Sequence, residues 1–258
     1  MDMKKEAKKR GQVTIFIIIA LVIIAMGALI YIFYPEISAI LGFEEKNPYS
    51  FMQTCLEEEI QTNVDALSLQ GGSLNPEFYY LYDNSKVEYL CYTIEDYATC
   101  VVQQPMLKEH IEAEIENKIK EEVTGCFNSL KDSYEKRGYS VNLQPGDTKV
   151  ELLPKRIVTS FNHTLTLTKD STERYDNFRI SLNNNLYERV SIANSILSWE
   201  ARYGDAETTI YMDYYHNLKV EKLKQSDGTK IYILTDRDTQ NKFQFATRSG
   251  AWPAGYGE

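Results

Sequence analysis

The sequence predicts an α+β protein: one N-terminal transmembrane helix, then one extracellular domain with two or three amphipathic helices and a mainly antiparallel β-sheet. Residues 13–34 carry no charge, apolar residues recur at helical spacing in later segments, and after Tyr139 they alternate with polar residues. The predicted divisions are a basic cytoplasmic segment 1–12, the transmembrane helix, a juxtamembrane linker 35–47 and an extracellular domain 48–258.

Composition limits the class of function. The 258 residues include 28 Lys plus Arg and 37 Asp plus Glu, a net charge of −9. This acidic balance argues against nucleic acid as a partner. Hydrophobic residues make up 43% of the chain, enough for a packed core, so wholesale disorder is excluded.

Residues 13–34 have the length and composition of a membrane helix. At a rise of ~1.5 Å per residue the run spans ~33 Å, close to the ~30 Å hydrocarbon core of a bilayer. A cleaved secretory signal is the alternative, but its apolar region is usually only ~7–15 residues long. Basic residues before the run and mainly acidic ones after it predict a cytoplasmic N-terminus. The expected location is the cell membrane, with the lipid bilayer as a partner.

The residues at the start of this run resemble a known signal. Lys8-Lys9-Arg10-Gly11-Gln12-Val13-Thr14-Ile15-Phe16 is similar to the archaeal class III signal of type IV pilin-like proteins, over about the first 35 residues. The resemblance implies cleavage between Gly11 and Gln12 by a prepilin-type peptidase, with the helix kept as an anchor or packed in a filament. Pilin-type helices usually carry Glu at the fifth mature position, whereas this chain has Phe16. The resemblance therefore supports anchoring more strongly than filament assembly.

A second resemblance lies at the start of the soluble part. Cys55-Leu56-Glu57, followed by residues 67–72, resembles a group of surface proteins common in small-genome archaea. This resemblance implies a location at the cell surface and no particular activity.

The four cysteines all follow the predicted membrane helix, and four cysteines allow three pairings. Only eight residues separate Cys91 from Cys100, so joining them costs little loop entropy, and Cys55 would then pair with Cys126. A zinc site is the alternative, but the sequence lacks a Cys-x-x-Cys pair. Disulfides would fit an oxidising compartment.

Periodicity predicts the elements of the domain in chain order. They are a helix from Asn47-Pro48 to Gly71-Gly72, hairpin arms 77–82 and 87–92 joined by 83–86, a helix 107–134 stopped by Gly138, strands at 150–152, 165–168 and 178–182, a helix 185–202 ended by Gly204, an ambiguous segment 208–215, a hairpin of 218–224 and 230–235, and a strand at 243–245.

No residue set dictates a reaction, so no catalytic residue, metal or cofactor is predicted. His110 and Glu114 share one helix face, but an exposed helix surface explains them better than a metal pair. A charged turn likewise explains Asp236-Arg237-Asp238 better than a cation site, and a helix surface explains Glu57-Glu58-Glu59 better than a calcium site. Asn162-His163-Thr164 is a candidate glycosylation sequon.

Three classes of function follow. The favoured one is a single-pass membrane-anchored cell-surface protein with a structural, adhesive or pilin-like role, its partners being copies of itself or other surface proteins. A non-catalytic subunit of a membrane or envelope complex is the first alternative, and an ectoenzyme is the second. Tyrosine clusters around Tyr80 and Tyr214 suit contact surfaces, although half-buried strands also use tyrosine.

Overall fold

The computed structural model describes Ile23 and residues 47–252. The chain divides into two compact units, 1–47 and 48–258, and nearly all described residues belong to the second. Within them the fold is α+β with mainly antiparallel strands, which confirms the predicted class of the domain, but it has four helices and three sheets where two or three helices and one sheet are predicted. No helix among the described residues has the length and apolarity needed to cross a membrane. The predicted membrane helix 13–34 and the signal residues Gly11 and Gln12 lie outside the described residues, apart from Ile23.

Two long helices lie in the first half of the domain, with strands between them in the chain. Helix α1 (Pro48–Ser68) and helix α2 (Leu107–Lys136) pack against each other. Each turns one apolar stripe inward, as the spacing predicts; Leu56 and Ile60 of α1 and Ile115 and Ile119 of α2 are completely buried. The pair therefore forms one wall of the main core.

A six-stranded sheet holds both ends of the domain together. Its strands are β1 (Tyr79–Tyr82), β2 (Ser85–Tyr92), β3 (Val101–Val102), β10 (Leu218–Lys224), β11 (Thr229–Asp236) and β12 (Lys242–Arg248). Their order is β1-β2-β12-β11-β10, with β3 beside β2 on the same edge as β1. Every pair is antiparallel except β2 with β12. Because that pair joins distant parts of the chain, local periodicity could not reveal it.

The middle of the chain forms two three-stranded antiparallel sheets. One has the order β4-β7-β8 and the other β5-β6-β9. Their strands are β4 (Ser140–Gln144), β5 (Thr148–Leu153), β6 (Arg156–Phe161), β7 (Thr164–Thr168), β8 (Thr172–Tyr175) and β9 (Phe178–Asn183). In β9 buried and exposed residues alternate strictly, the period of two that the sequence shows.

Two further helices follow β9. Helix α3 (Leu186–Tyr203) ends at Gly204, whose φ of 80° lies in the left-handed region that glycine adopts without strain. Helix α4 (Thr209–Tyr214) resolves the ambiguous segment as a short helix. Tyr211 is its buried residue, and its hydroxyl lies 2.8 Å from the Ser195 hydroxyl of α3.

The first hairpin turns more tightly than predicted. Strand β2 begins at Ser85 rather than Val87, so only Asp83 and Asn84 form the connection. Both have positive φ, 46° and 62°, as a two-residue type I′ turn requires, and Asp and Asn tolerate that conformation. The four-residue connection 83–86 is therefore wrong, because Ser85 and Lys86 already pair with Tyr82 and Leu81.

The six-stranded sheet buries residues on both faces. On one face Tyr232, Leu234 and Phe245 join the main core with the helices. On the other face a smaller cluster contains Val87, Tyr89, Ile231, Ile233 and Ala246. This burial on both sides explains why all eight residues of β11 are buried.

Candidate functional site

All four cysteines of the chain are paired. The disulfides are Cys55–Cys126, which joins α1 to α2, and Cys91–Cys100, which closes the segment between β2 and β3. This is the nested pairing that the short Cys91–Cys100 spacing favours. Two such bridges are compatible with an extracellular domain, since disulfides persist in oxidising compartments.

A polar cluster lies where the turn after α1 meets β2 and α2. The Ser73 hydroxyl donates to Glu88 Oε2 at 2.5 Å and lies 2.8 Å from His110 Nε2. The Leu74 amide donates to Glu114 Oε2 at 2.8 Å. Burial raises the pKa of the Glu88 carboxyl above its ordinary value, although the Ser73 hydrogen bond and His110 oppose the shift.

This cluster corrects the interpretation of His110 and Glu114 as ordinary exposed helix surface. Both side chains are only partly exposed; His110 contacts Ser73, and Glu114 accepts from the Leu74 amide. Gly71 and Gly72 have φ of 84° and 106°, and a Cβ on Gly71 would lie 2.7 Å from the Cβ of Glu88. The turn therefore approaches β2 more closely than a larger residue permits.

The cluster has the residue types of a hydrolase but a different arrangement. A nucleophilic serine must give its proton to the imidazole. Here the Ser73 hydroxyl donates to Glu88 Oε2 instead, and its oxygen also lies 2.8 Å from His110 Nε2. Ser73 is also only 5% exposed. The arrangement joins the turn after α1 to β2 and α2.

A second polar cluster lies beneath the C-terminal end of α3. Glu200 is completely buried, and its carboxylate accepts from Lys230 Nζ at 2.6 Å and from the Tyr232 hydroxyl. Lys230 also donates to the Gly204 carbonyl at 2.5 Å. Burial raises the pKa of the Glu200 carboxyl, and Lys230 opposes the shift. The pKa of Tyr232 is also raised, mainly by burial and then by the charge of Glu200. These bonds join α3 to β11.

Asp236 organises a third cluster at the end of β11. Its Oδ1 accepts the amides of Asp238 and Thr239, both at 2.9 Å, so the charged triplet is a turn, as the sequence favours. Its Oδ2 accepts from the side-chain amides of Asn185 and Asn217. The neighbouring Arg189 is 2% exposed, and burial lowers its pKa to about 10. Asp236 thus has polar partners on both oxygens.

One open groove of about 460 Å³ runs along the surface of α1. Its lining residues are Thr54, Glu57, Glu58, Gln61, Thr62 and Leu182. Glu57 and Glu58 are exposed there, which agrees with their interpretation as helix surface. Among residues 47–252, no group of three His, Cys, Asp or Glu side chains is arranged to hold a metal ion.

Exposed apolar side chains gather along one edge of the six-stranded sheet. Tyr79 and Leu81 of β1 are 39% and 65% exposed, and Val101 of β3 is 69% exposed. Phe78 is half exposed and packs on Tyr89 at a centroid distance of 4.8 Å. These side chains give this edge an exposed apolar surface.

The candidate glycosylation residue Asn162 lies between β6 and β7 and is exposed. Its main-chain amide donates to the Asp147 carbonyl at 2.9 Å. His163 beside it is buried and stacks on Phe127 at 4.2 Å. The sequon thus presents its asparagine to solvent.

No protein-family model, curated protein or solved structure matches this chain.

Sequence reasoning missed Ser73 and Glu88 as cluster members and missed the Glu200–Lys230–Tyr232 network. Only the Gly71-Gly72 pair signalled a close approach near Ser73.

Proposed function

We propose that the chain is a single-pass membrane-anchored cell-surface protein with a structural, adhesive or pilin-like role. Its helix 13–34 spans the bilayer, the N-terminus is cytoplasmic, and the domain from 48 onward is outside. The observation that carries the proposal is the 22-residue charge-free run with basic residues before it.

The domain supports this proposal in two ways. Its two disulfides join cysteines that are 71 and 9 positions apart in the sequence. Such bridges stabilise folds outside the reducing cytosol. Its polar clusters join elements of the fold: Ser73 donates to Glu88, and the buried Glu200 accepts from Lys230 and Tyr232. Both features fit a stable domain that is exposed outside the cell.

The resemblance to pilin-like signals adds a processing step to the proposal. A prepilin-type peptidase cuts after Gly11 on the cytoplasmic side, which leaves Gln12 as the first residue and keeps the helix. Phe16, in place of the usual Glu, makes any filament depend on other contacts for the register of its subunits. Anchoring and filament assembly are therefore separate parts of the proposal.

A subunit of a membrane or envelope complex is the second candidate. The exposed apolar residues Tyr79, Leu81 and Val101 at the sheet edge favour it, because neighbouring exposed apolar side chains are typical of protein contacts. Such a subunit would copurify with other proteins at fixed stoichiometry.

Membrane extraction followed by intact-mass measurement tests the proposal. We expect the chain in the membrane fraction after a carbonate wash, with a mass that corresponds to a start at Gln12 and two disulfides. A chain that washes off contradicts anchoring. A membrane-bound chain that starts at Met1 contradicts the processing step and leaves a plain signal anchor.

A further inference from the structure

We propose that two copies of this chain associate through the outer edge of β1, so that their six-stranded sheets join across a two-fold axis. The proposal deepens the proposed function, since it names a second copy as the partner. It rests on that function only for the high local concentration that a shared membrane provides.

The main chain of β1 presents free bonding groups outward. The Tyr89 amide donates to the Phe78 carbonyl at 3.1 Å, so Phe78 and Tyr89 form a hydrogen-bonded pair. Such pairs alternate in an antiparallel ladder, so Tyr80 and Tyr82 also bond to β2. The amides and carbonyls of Tyr79 and Leu81 therefore point away from β2, and within residues 47–252 no strand pairs with them.

The two edges of this sheet differ in their protection. The far edge is β10, which carries Lys219, Lys222 and Lys224 and lies beside helix α4. Lysine on an edge strand discourages pairing with another chain. Strand β1 is Tyr-Tyr-Leu-Tyr, without a charge or a proline. Only the β1 edge is therefore suited to accept another strand.

The sequence of β1 suits a second copy in particular. In a two-fold register that places Tyr80 opposite its own copy, Tyr79 lies opposite Leu81 of the second copy, and the reverse. The outward main-chain groups of Tyr79 and Leu81 then bond to those of the second copy. Opposed side chains of the two copies lie on the same face of the joined sheet. The paired segment is neutral, so two chains of net charge −9 meet without like charges in it. Glu77 and Asp83 oppose each other at its ends and limit its length.

The small size of this contact explains why the membrane matters. Each copy contributes only four strand residues. The area that they bury is well below the roughly 800 Å² per partner of a standard stable interface. Association in dilute solution is therefore weak, and anchoring of both copies in one bilayer raises their effective concentration.

Cysteine cross-linking of the full chain in lipid vesicles tests the register. Opposed residues of the central pair have Cα atoms ~4.5 Å apart, within the ~4.4–6.8 Å range of disulfides. Tyr80→Cys should therefore form disulfide-linked dimers on mild oxidation. Leu81→Cys is the matched control, because the two Leu81 Cα atoms would be about 8 Å apart in this register. We expect at least fivefold faster cross-linking at position 80, although Leu81 is among the most exposed apolar residues.

Random collision would reverse that order, since it favours the more exposed position. Equal or faster cross-linking of Leu81→Cys, or monomers from both variants, would overturn the proposal. If mass analysis shows that Tyr80→Cys has lost a native disulfide, the wild-type chain in vesicles is treated instead with a photo-oxidative reagent that cross-links tyrosines. A mapped Tyr80–Tyr80 link supports the register, and its absence overturns it.

A charge on the edge gives an independent check. Leu81→Lys should lower cross-linking of Tyr80→Cys at least tenfold, whereas Ile94→Lys, which changes another exposed apolar residue outside β1, should leave it unchanged. Comparing Tyr80→Cys with Leu81→Cys in detergent at high protein concentration separates the sheet pairing from the membrane anchor. Specific cross-linking there, from a chain that washes off membranes, would retain the sheet pairing and refute only the anchor.

Discussion

Removing the Lys230 ammonium should destabilise the domain more than any change of an exposed lysine. Glu200 is completely buried, and the side chain of Lys230 is 6% exposed. Lys230→Met leaves the carboxylate without its cation and the Gly204 carbonyl without its donor. Breaking one partner of a buried pair typically costs ~3–5 kcal/mol. Lys219→Met is the matched control, since its pair with Glu221 is exposed and worth at most ~1 kcal/mol.

The cost of Lys230→Met should also depend on pH. Burial already raises the pKa of Glu200, and loss of the cation raises it further. The folded variant then holds a proton that the unfolded chain releases above the ordinary pKa of 4.5. Its free energy of unfolding therefore falls with rising pH through that window, by at most ~1.4 kcal/mol per unit.

Urea unfolding of the full chain in detergent, followed by tryptophan fluorescence at pH 5 and pH 8, measures both effects. Trp199 is adjacent in sequence to Glu200 and reports on this region. Adding Glu200→Gln to Lys230→Met should recover ~2 kcal/mol or more at pH 8, because no buried charge then lacks a partner. A cost below 1 kcal/mol, or one equal at both pH values, would refute the reasoning.

Three further predictions concern the bridges, the first polar cluster and the signal. Non-reducing peptide mapping should recover the two disulfide pairs described above, and free thiols at all four positions would contradict the structure. Burial raises the pKa of Glu88 above the ordinary 4.5, so the contribution of this carboxyl to stability falls as pH rises through that window. In thermal unfolding from pH 4 to 8, the stability of Glu88→Gln relative to the wild type should therefore rise with pH, and a constant difference would contradict this. Replacing Gly11 by Trp should abolish cleavage, read by intact mass, yet leave the chain in the membrane fraction; continued cleavage would show that the peptidase does not read Gly11.

The helices were predictable because their signals are local. Leu56, Ile60, Ile115 and Ile119 repeat at helical spacing and are all completely buried, and Gly204 ends α3 as its conformational freedom suggests. Strand β9 was predictable for the same reason, since burial follows its alternation. Periodicity reports which face of an element is buried, and these elements each bury one face.

The features that could not be predicted from the sequence depend on contacts between distant residues. Strand β11 is buried on both faces, so its pattern could not show that Tyr232 and Lys230 meet Glu200. The parallel pairing of β2 with β12 joins residues more than 150 positions apart. Likewise His110 looked like helix surface because Ser73 and Glu88 reach it from other elements. Apart from the Gly71-Gly72 pair beside Ser73, no local signal indicates these contacts.

Protease treatment of intact cells tests the central claim most directly. A tag after residue 258 and a tag before residue 1 report the two sides of the membrane separately. If the domain is outside, external protease removes the C-terminal tag while an N-terminal tag survives on a processing-deficient Gly11→Trp variant until the cells are lysed. Survival of the C-terminal tag in intact cells, with digestion after lysis, would contradict the orientation and with it a role at the cell surface.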